Sequence, residues 1–286
     1  MPRLIINADD FGLTSGVNRA IAEASRAGAI TSATLMANSV AFNEAATLAQ
    51  TQLDLAVGGH IVLVDGTPLS SGLNSLAPGG RFRNSIKDFA LAATRNRLAP
   101  EEIQRETEAQ IRKMQSAGIT LTHLDTHKHT HMFSHVLRPV LAAAKACGIR
   151  AVRNPFEPSR VWPIAGLLGR PANWIRMAQV TLLSRFARAF QQIVKEAGMS
   201  TTSGTVGIIV TGHLNQKLLI KTIQALPEGT WELVCHPGYM DSDLSAAGTR
   251  LLESRQVELD ALTSEQTRQA LANRGIELIS YARLNR

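Results

Sequence analysis

Strand-like and helix-like runs alternate along the chain of 286 residues, and this alternation restricts the fold more than any other feature of the sequence. Apolar runs of strand length occur at 3–8, 32–38, 55–63, 119–127, 149–154, 205–210, 230–238 and 276–284. Segments with helical periodicity lie between most of them, at 16–28, 41–50, 99–118, 134–148, 215–226, 244–259 and 263–273. Repeated strand–helix units predict a mostly parallel sheet with helices outside it. Both a (β/α) barrel and an open doubly wound sheet satisfy this pattern.

The chain shows no internal repeat and no low-complexity linker, so we predict a single domain over residues 1–286. The hydrophobic fraction of 44% and the charged fraction of 19% are ordinary for a soluble globular enzyme with a full core. The Gly-, Pro- and Ser-rich segment 65–85 is the longest interruption of the pattern. We predict that it is a substrate-facing lid and not a domain boundary.

The cysteines and the N-terminal residues indicate the compartment. Cys147 and Cys235 are isolated from each other in the sequence, which predicts reduced thiols and no disulfide scaffold. The first residues begin a strand, and no window holds the roughly 18 uncharged apolar residues that a membrane span requires. We therefore expect a cytoplasmic protein.

The formal net charge of +7 is concentrated in one stretch. Glu157 is the only acidic residue between positions 150 and 195, and Trp162 and Trp174 lie in the same stretch. The basic residues there are Arg150, Arg153, Arg160, Arg170, Arg176, Arg185, Arg188 and Lys195. We predict a basic helical insert at about 158–198, which fits a solvated insert, a membrane-surface helix or a nucleic-acid face. No nucleic-acid-binding motif accompanies it, so we expect no nucleic-acid partner.

Carboxylates and imidazoles occur at or near the ends of four predicted strands. Asp9 and Asp10 follow the first strand, His60 lies in a Gly-Gly-His turn of the third, a histidine cluster ends the strand that begins at Ile119, and His236 ends a later one. The carboxyl ends of parallel strands meet at one edge of the sheet, where ligands bind. This convergence predicts a site for a divalent cation at that edge.

The stretch HLDTHKHTHM, from His123 to Met132, holds four of the eight histidines, and His135 follows it. If the chain stays extended, the odd positions from 123 to 131 share one face and read His, Asp, His, His, His. A catalytic cation needs two or three of these ligands, since other positions stay open for water and substrate. Asp125 suits the task of holding one imidazole in the correct tautomer. The alternative is a histidine-rich surface tract with adventitious metal affinity.

Four motifs occur in a fixed order: NADDFG at 7–12, GGH ending at His60, THLDTHKHTHMF at 122–133 and CHPG at 235–238. As a set they resemble the YdjC-like (ChbG-type) carbohydrate deacetylases. The resemblance implies a distorted (β/α) barrel, TIM-barrel-like, that holds one divalent metal ion, Mg²⁺ or Zn²⁺, through one aspartate and two histidines.

Carried over residue by residue, the resemblance implies a role for each matching side chain. The implied metal ligands are Asp10, His60 and His127. Asp9 matches the catalytic carboxylate, and His236 matches the histidine that acts as an acid. His129 and His131 lie in the same histidine-rich run, and neither is assigned as a ligand.

These roles suit the hydrolysis of an N-acetyl group on an acetylated amino sugar. A cation lowers the pKa of a bound water and polarises the amide carbonyl. Asp9 would take the proton of the water, and His236 would protonate the leaving amine, which releases acetate.

Two other functions fit the same residues. One is a different metal-dependent hydrolase, such as a phosphoesterase, although phosphoesterases often use two metals and more carboxylates than this sequence offers. The other is a non-catalytic metal-binding protein that docks at a membrane.

The basic segment at about 158–198 is longer and more leucine-rich than a soluble-sugar enzyme requires. Some YdjC-like proteins are associated with hopanoid biosynthesis, and this chain resembles that branch. The resemblance implies a lipid-linked substrate and peripheral contact with the inner membrane surface. The sequence leaves the oligomeric state open, a homodimer included.

Overall fold

Seven parallel strands form one sheet in the computed structural model, which describes residues 1–51, 55–158 and 171–284. The strands are β1 (Arg3–Phe11), β2 (Ser32–Leu35), β3 (Ala56–Ile61), β4 (Leu124–Thr126), β5 (Gly204–Val206), β6 (Thr230–Cys235) and β7 (Glu277–Leu278). The order is β4-β3-β2-β1-β6-β5, and β7 pairs with the beginning of β1. Every ladder is parallel, as the alternation predicts.

The segment between β4 and β5 joins the two outer edges of this sheet. Leu124 of β4 forms a parallel bridge with Val152, and Ala151 forms one with Ser200. Ser200 runs directly into β5, so backbone hydrogen bonds continue around a ring. The predicted distorted (β/α) barrel is confirmed.

Helices cover the outside of the sheet. They are α1 (Ser15–Arg26), α2 (Phe42–Thr51), α3 (Ile86–Thr94), α4 (Pro100–Ser116), α5 (Ser134–Ala146), α6 (Pro171–Leu183), α7 (Ala187–Glu196), α8 (Gln216–Gln224), α9 (Ser242–Ala246), α10 (Glu253–Thr263) and α11 (Glu265–Arg274). Their starts follow ordinary capping chemistry: the Thr14 hydroxyl accepts from the Val17 N–H at α1, and Pro100 occupies the first turn of α4. None of the helices in the described parts of the chain is long and apolar enough to cross a membrane.

Several predicted strands are shorter than their apolar runs. The run at 119–127 yields only β4: residues 119–123 precede the strand, and beyond it the chain turns at Lys128 and His129, which both have φ of 54°. The run at 149–154 forms only isolated bridges, and the run at 276–284 forms only β7. Buried apolar loops next to a sheet have the same composition as strands, so hydrophobicity alone overestimates strand length.

Two helical predictions also differ from the structure. Helix α3 was not predicted, since its nine residues follow directly on the Gly- and Pro-rich loop. The segment 244–259 is not one helix: α9 ends at Ala246 and α10 begins at Glu253. Gly248 has φ of 68° and separates the two helices.

The predicted basic insert is described only in part, because residues 159–170 lie outside the described residues. The described remainder is helical and consists of α6 and α7. Arg153 and Glu157 belong to the basic stretch of the sequence, but they are not surface residues. Their exposed fractions are 0% and 3%, so neither contributes to an exposed basic face.

Candidate active site

Asp9 and Asp10 lie where β1 leaves its regular register. The pairing with β2 shifts between Ala8 and Phe11, and Asp10 has φ of 64°. Neighbouring side chains of a regular strand point to opposite faces, but this irregularity turns both carboxylates into one pocket. Left-handed backbone at a residue with a Cβ costs about 1–2 kcal/mol, which the contacts of the two carboxylates must offset.

Asp10, His60 and His127 converge at the carboxyl ends of β1, β3 and β4. Asp10 Oδ1 lies 3.5 Å from His60 Nε2 and 3.4 Å from His127 Nδ1, and the two nitrogens are 3.3 Å apart. An ion about 2.1 Å from three donors at tetrahedral angles needs donors about 3.4 Å apart. The triangle therefore fits one divalent cation, and the predicted ligand set is brought together.

The buried charges around this triangle are unbalanced. The ionisable groups, each at most 4% exposed, are the carboxylates of Asp9, Asp10, Asp125, Glu232 and Glu258 and the guanidiniums of Arg153 and Arg255. Five carboxylates against two guanidiniums and a protonated His60 leave a charge of −2, or −1 if one carboxylate is protonated. Burial raises the pKa of Glu232, which makes it the candidate for that proton. Uncompensated buried charge is costly, so this donor set suits a cation of charge +2.

Asp125 orients His60. Its Oδ1 lies 2.6 Å from His60 Nδ1, and its Oδ2 accepts a hydrogen bond of 3.1 Å from the Thr34 hydroxyl. Burial alone lowers the pKa of His60, but the carboxylate of Asp125, followed by those of Asp9 and Asp10, raises it to about 9. A proton on Nδ1, held by Asp125, leaves Nε2 to face the triangle.

Asp9 is held by Arg153. Arg153 Nη1 donates to Asp9 Oδ2 at 2.8 Å, and Nη2 donates to Oδ1 at 2.6 Å. Burial raises the pKa of Asp9, but the Arg153 guanidinium and then His60 hold it well below its usual range. Arg153 also contacts Asp125 at 2.7 Å and Glu232 at 2.6 Å, so one guanidinium connects three carboxylates. Asp9 is therefore held in a fixed position, and its lowered pKa makes it a weak base.

His236 faces Asp9 across the pocket. Its Nε2 lies 3.9 Å from Asp9 Oδ2, and its side chain is 11% exposed. Glu258 of α10 lies behind it: Oε2 accepts from the His236 backbone N–H at 2.6 Å and is 3.8 Å from Nδ1. The Glu258 carboxylate thus lies on the Nδ1 side of the ring, and Nε2 lies on the side of Asp9.

The other histidines of the cluster have different surroundings, so the prediction that the odd positions share one face is wrong. The left-handed turn at 128–129 separates them. The His123 ring stacks on Tyr281 with centroids 3.6 Å apart, far from solvent. His131 is buried between the Thr126 hydroxyl and the Arg153 carbonyl, at 2.7 and 3.1 Å. The alternative prediction, a histidine-rich surface tract, is therefore also wrong.

The Gly-Gly-His sequence was predicted as a turn but lies within β3, and its two glycines have a packing reason. A Cβ on Gly58 would lie 2.4 Å from the His123 ring, and one on Gly59 would lie 2.6 Å from Leu124. Only glycine lets β3 approach β4 closely enough to place His60 beside His127.

Sequence reasoning missed four charged residues of this site: Arg153, Arg255, Glu232 and Glu258. Two signals could have indicated them. Glu232 interrupts the apolar run of β6, and Arg255 and Glu258 lie on the same helical face as the apolar Leu259 and Leu262.

The loop after β3 is anchored to α4 by two buried carboxylates. Glu106 accepts hydrogen bonds from the Leu69 and Ser70 N–H groups at 2.9 and 2.8 Å. Glu102 accepts from the N–H groups of Ser75 and Leu76, both at 2.9 Å. These bonds fix the loop as a wall beside the site; that it faces the substrate, as the sequence predicts, stays a prediction.

Comparison with known proteins agrees with this fold. A carbohydrate deacetylase from Brevibacillus brevis is 32% identical over 284 residues, 99% of each chain. A chitooligosaccharide deacetylase from Klebsiella pneumoniae is 36% identical over 279 residues, 97% of each chain. A solved structure from Enterococcus faecalis V583, 24% identical, covers 98% of this chain and 97% of its own with a TM-score of 0.78.

The family comparison extends over most of the sequence. The family model described as YdjC-like protein matches residues 3–273. This range includes every residue of the candidate site. The four motifs that suggested the resemblance all lie inside this range. The chain belongs to the family of YdjC-like proteins.

Proposed function

We propose that the protein is a metal-dependent hydrolase that removes an N-acetyl group from an acetylated amino sugar and releases acetate. The observation that carries this proposal is the triangle of Asp10, His60 and His127 beside the facing pair Asp9 and His236. Relatives that align over almost the whole chain are named carbohydrate and chitooligosaccharide deacetylases, which supports this substrate class.

The three ligands would hold one divalent cation, Mg²⁺ or Zn²⁺. Such a cation, when bound, lowers the pKa of water and polarises the carbonyl of the acetamide. This property matters here because Arg153 makes Asp9 a weak base. A weak base removes a proton efficiently only from an acidified water.

Asp9 accepts the proton through Oδ2, the oxygen that faces His236. The water oxygen bonds to the acetamide carbon, and Arg153 keeps the carboxylate at a fixed position during the transfer. The amide nitrogen is a poor leaving group until it is protonated. His236 supplies that proton, the C–N bond breaks, and the products are acetate and a free amine.

The decisive experiment measures acetate release from N-acetylglucosamine oligosaccharides. We expect acetate to form, to stop after EDTA treatment and to return when Zn²⁺ or Mg²⁺ is added back. Phosphate esters serve as the comparison substrate. Turnover of phosphate esters without turnover of acetamides would show that the protein is a phosphoesterase instead.

Asp9→Asn separates catalysis from metal binding. The variant keeps the shape of the side chain and removes the proton acceptor, so turnover should fall by about 10²–10⁴-fold. The affinity for Zn²⁺, measured by calorimetry, should stay close to that of the unmodified protein, because Asp9 is not one of the three ligands. Full activity of the variant would exclude Asp9 as the base.

We infer further that the acetylated amino sugar is linked to a lipid. The support comes from α6, where Trp174 is 58% and Leu182 is 56% exposed next to a basic stretch. Exposed apolar groups flanked by cations suit an anionic membrane surface. Binding of the protein to anionic phospholipid vesicles, and its loss in the variant L182S, tests this inference. Failure to bind such vesicles would contradict it.

A further inference from the structure

The two carboxylates of the Asp9–Asp10 pair are held in different ways. Both oxygens of Asp9 accept hydrogen bonds from Arg153. Asp10 has one oxygen, Oδ2, that accepts from Arg255 Nη2 at 2.6 Å, while Oδ1 faces His60 and His127. The two oxygens of Asp10 therefore have different contacts because Arg255, 245 positions away in the chain, bonds to one of them.

Arg255 is held rigidly in this position. It is 0% exposed, and its Nε donates to the Leu251 carbonyl at 3.0 Å. Its aliphatic part lies against Gly238, where an added Cβ would be 2.8 Å from Arg255 Cδ. Glycine in the CHPG motif thus makes room for Arg255, and the guanidinium has little freedom to leave Asp10.

A carboxylate can bind a cation through one oxygen or through both. If both oxygens of Asp10 turned to the ion, they would occupy two of its coordination positions. A catalytic site needs positions left open for water and substrate. A guanidinium bonded to the second oxygen prevents that rearrangement, since breaking its bond would leave a buried unpaired charge.

We propose that Arg255 is a positioning residue that restricts Asp10 to one ligand oxygen and so keeps coordination positions of the cation open. This inference rests on the proposed metal centre. It assigns a function to α10, a helix on the outside of the barrel, and to the glycine of the CHPG motif.

The test uses Co²⁺ as a spectroscopic probe in the full-length protein after EDTA treatment. Four- and five-coordinate Co²⁺ absorb visible light more strongly than six-coordinate Co²⁺, so the spectrum reports the number of ligands. In Arg255→Met, which keeps the bulk without the charge, we expect the molar absorption to fall at least about twofold. We expect kcat to fall about 10- to 100-fold in the same variant.

Two further variants distinguish positioning from general damage. Arg255→Lys retains a donor for Oδ2 and should restore most of the Co²⁺ absorption. Arg268→Met is the matched control, because the side chain of Arg268 on α11 is 63% exposed and forms an exposed ion pair with Glu265. Its spectrum should equal that of the unmodified protein.

Each outcome decides a different question. If His127→Ala leaves the Co²⁺ spectrum unchanged, the proposed metal centre is wrong and this inference falls with it. If that spectrum depends on His127 but is unaltered in a folded Arg255→Met variant, only the role of Arg255 is overturned. If Arg255→Met does not fold, Gly238→Ala replaces it, because the new methyl group displaces Arg255 while the charge remains. An unaltered spectrum in Gly238→Ala then overturns the role.

Discussion

Two adjacent aspartates with the same chemistry have different partners, and the partners separate their roles. Asp9 is fully engaged by Arg153, whereas Asp10 keeps one oxygen free. Both are ionised because a guanidinium compensates each of them, which two neighbouring buried carboxylates otherwise resist. The environment of each side chain, and not its type, therefore distinguishes the two roles that we propose for Asp9 and Asp10.

Arg153→Met tests how far the fold depends on this compensation. The variant leaves Asp9, Asp125 and Glu232 buried without their common cation. We expect the free energy of unfolding, measured with urea, to fall by about 3–5 kcal/mol. Arg138→Met is the control, since the pair of Arg138 with Glu196 is exposed and worth at most about 1 kcal/mol. Equal losses in the two variants would contradict the role assigned to Arg153.

The site residues fall into two groups in how well sequence predicts them. Asp9, Asp10, His60 and His236 could be predicted because they end strands, and parallel strands end at one edge. Arg255 was missed although it shares a helical face with Leu259 and Leu262, because an arginine on an amphipathic helix normally belongs to a solvated face. Its burial depends on packing against a segment that is distant in sequence, and no local pattern records that contact.

At the scale of elements, α4 has a function beyond covering the sheet. Its buried face carries Glu102 and Glu106, whose carboxylates replace missing backbone partners in the loop after β3. A loop rich in Gly, Pro and Ser would otherwise have few bonds to hold it beside the site. The helix thereby fixes the shape of one wall of the pocket.

Glu106→Gln should release part of this wall. The carboxylate accepts from two N–H groups with two oxygens, whereas an amide offers only one oxygen and leaves a buried donor unpaired. We expect a loss of about 1–3 kcal/mol in the free energy of unfolding and faster proteolysis within residues 66–77. Glu108→Gln on the same helix, where the side chain accepts from Gln104, should change neither quantity measurably.

The elements themselves were predicted better than their ends. Periodicity identified β1, β2, β3 and β6 and the long helix α4, because each has a continuous apolar run or a regular apolar stripe. It overestimated β4, since the apolar residues before it are buried without being strand, and it missed the left-handed turn at Lys128 and His129, which carries no signal in composition. Asparagine or glycine usually marks such a turn, and neither is present there.

Glu157 links one loop to the pH dependence of stability. Its carboxylate accepts from the N–H groups of Gly207 and Ile209 at 3.1 and 2.8 Å, yet burial raises its pKa to about 7. Between its ordinary pKa of 4.5 and about 7, the folded protein holds a proton that the unfolded chain releases. Stability should therefore decrease as pH rises through this window, by as much as about 3 kcal/mol.

Urea unfolding of the Glu157→Gln variant at pH 5 and at pH 8 measures this effect. The variant cannot ionise at this position, so its stability should depend less on pH than that of the unmodified protein. Identical pH dependence in the two proteins would show that Glu157 has an ordinary pKa when buried.

At the scale of the whole molecule, the buried residues of the described chain include more carboxylates than guanidiniums. Binding of a divalent cation should therefore stabilise the entire fold and not only the pocket. Removal of metal with EDTA should lower the melting temperature, and Zn²⁺ at 100 times its Kd should restore about 2.7 kcal/mol. The variant His127→Ala should lose this response, measured by calorimetry, whereas His135→Ala on α5 should keep it. If EDTA leaves the melting temperature of the unmodified protein unchanged, the proposed metal centre is contradicted.

The contact between Asp10 and Arg255 spans almost the whole sequence. During translation, Asp10 emerges from the ribosome long before Arg255 is polymerised. A nascent chain can therefore build the first strands and helices while its ion site is still unfinished. We therefore expect the proposed metal centre to be complete only after α10 has been made, and we expect a product truncated before residue 253 to be inactive although Asp10, His60 and His127 are intact.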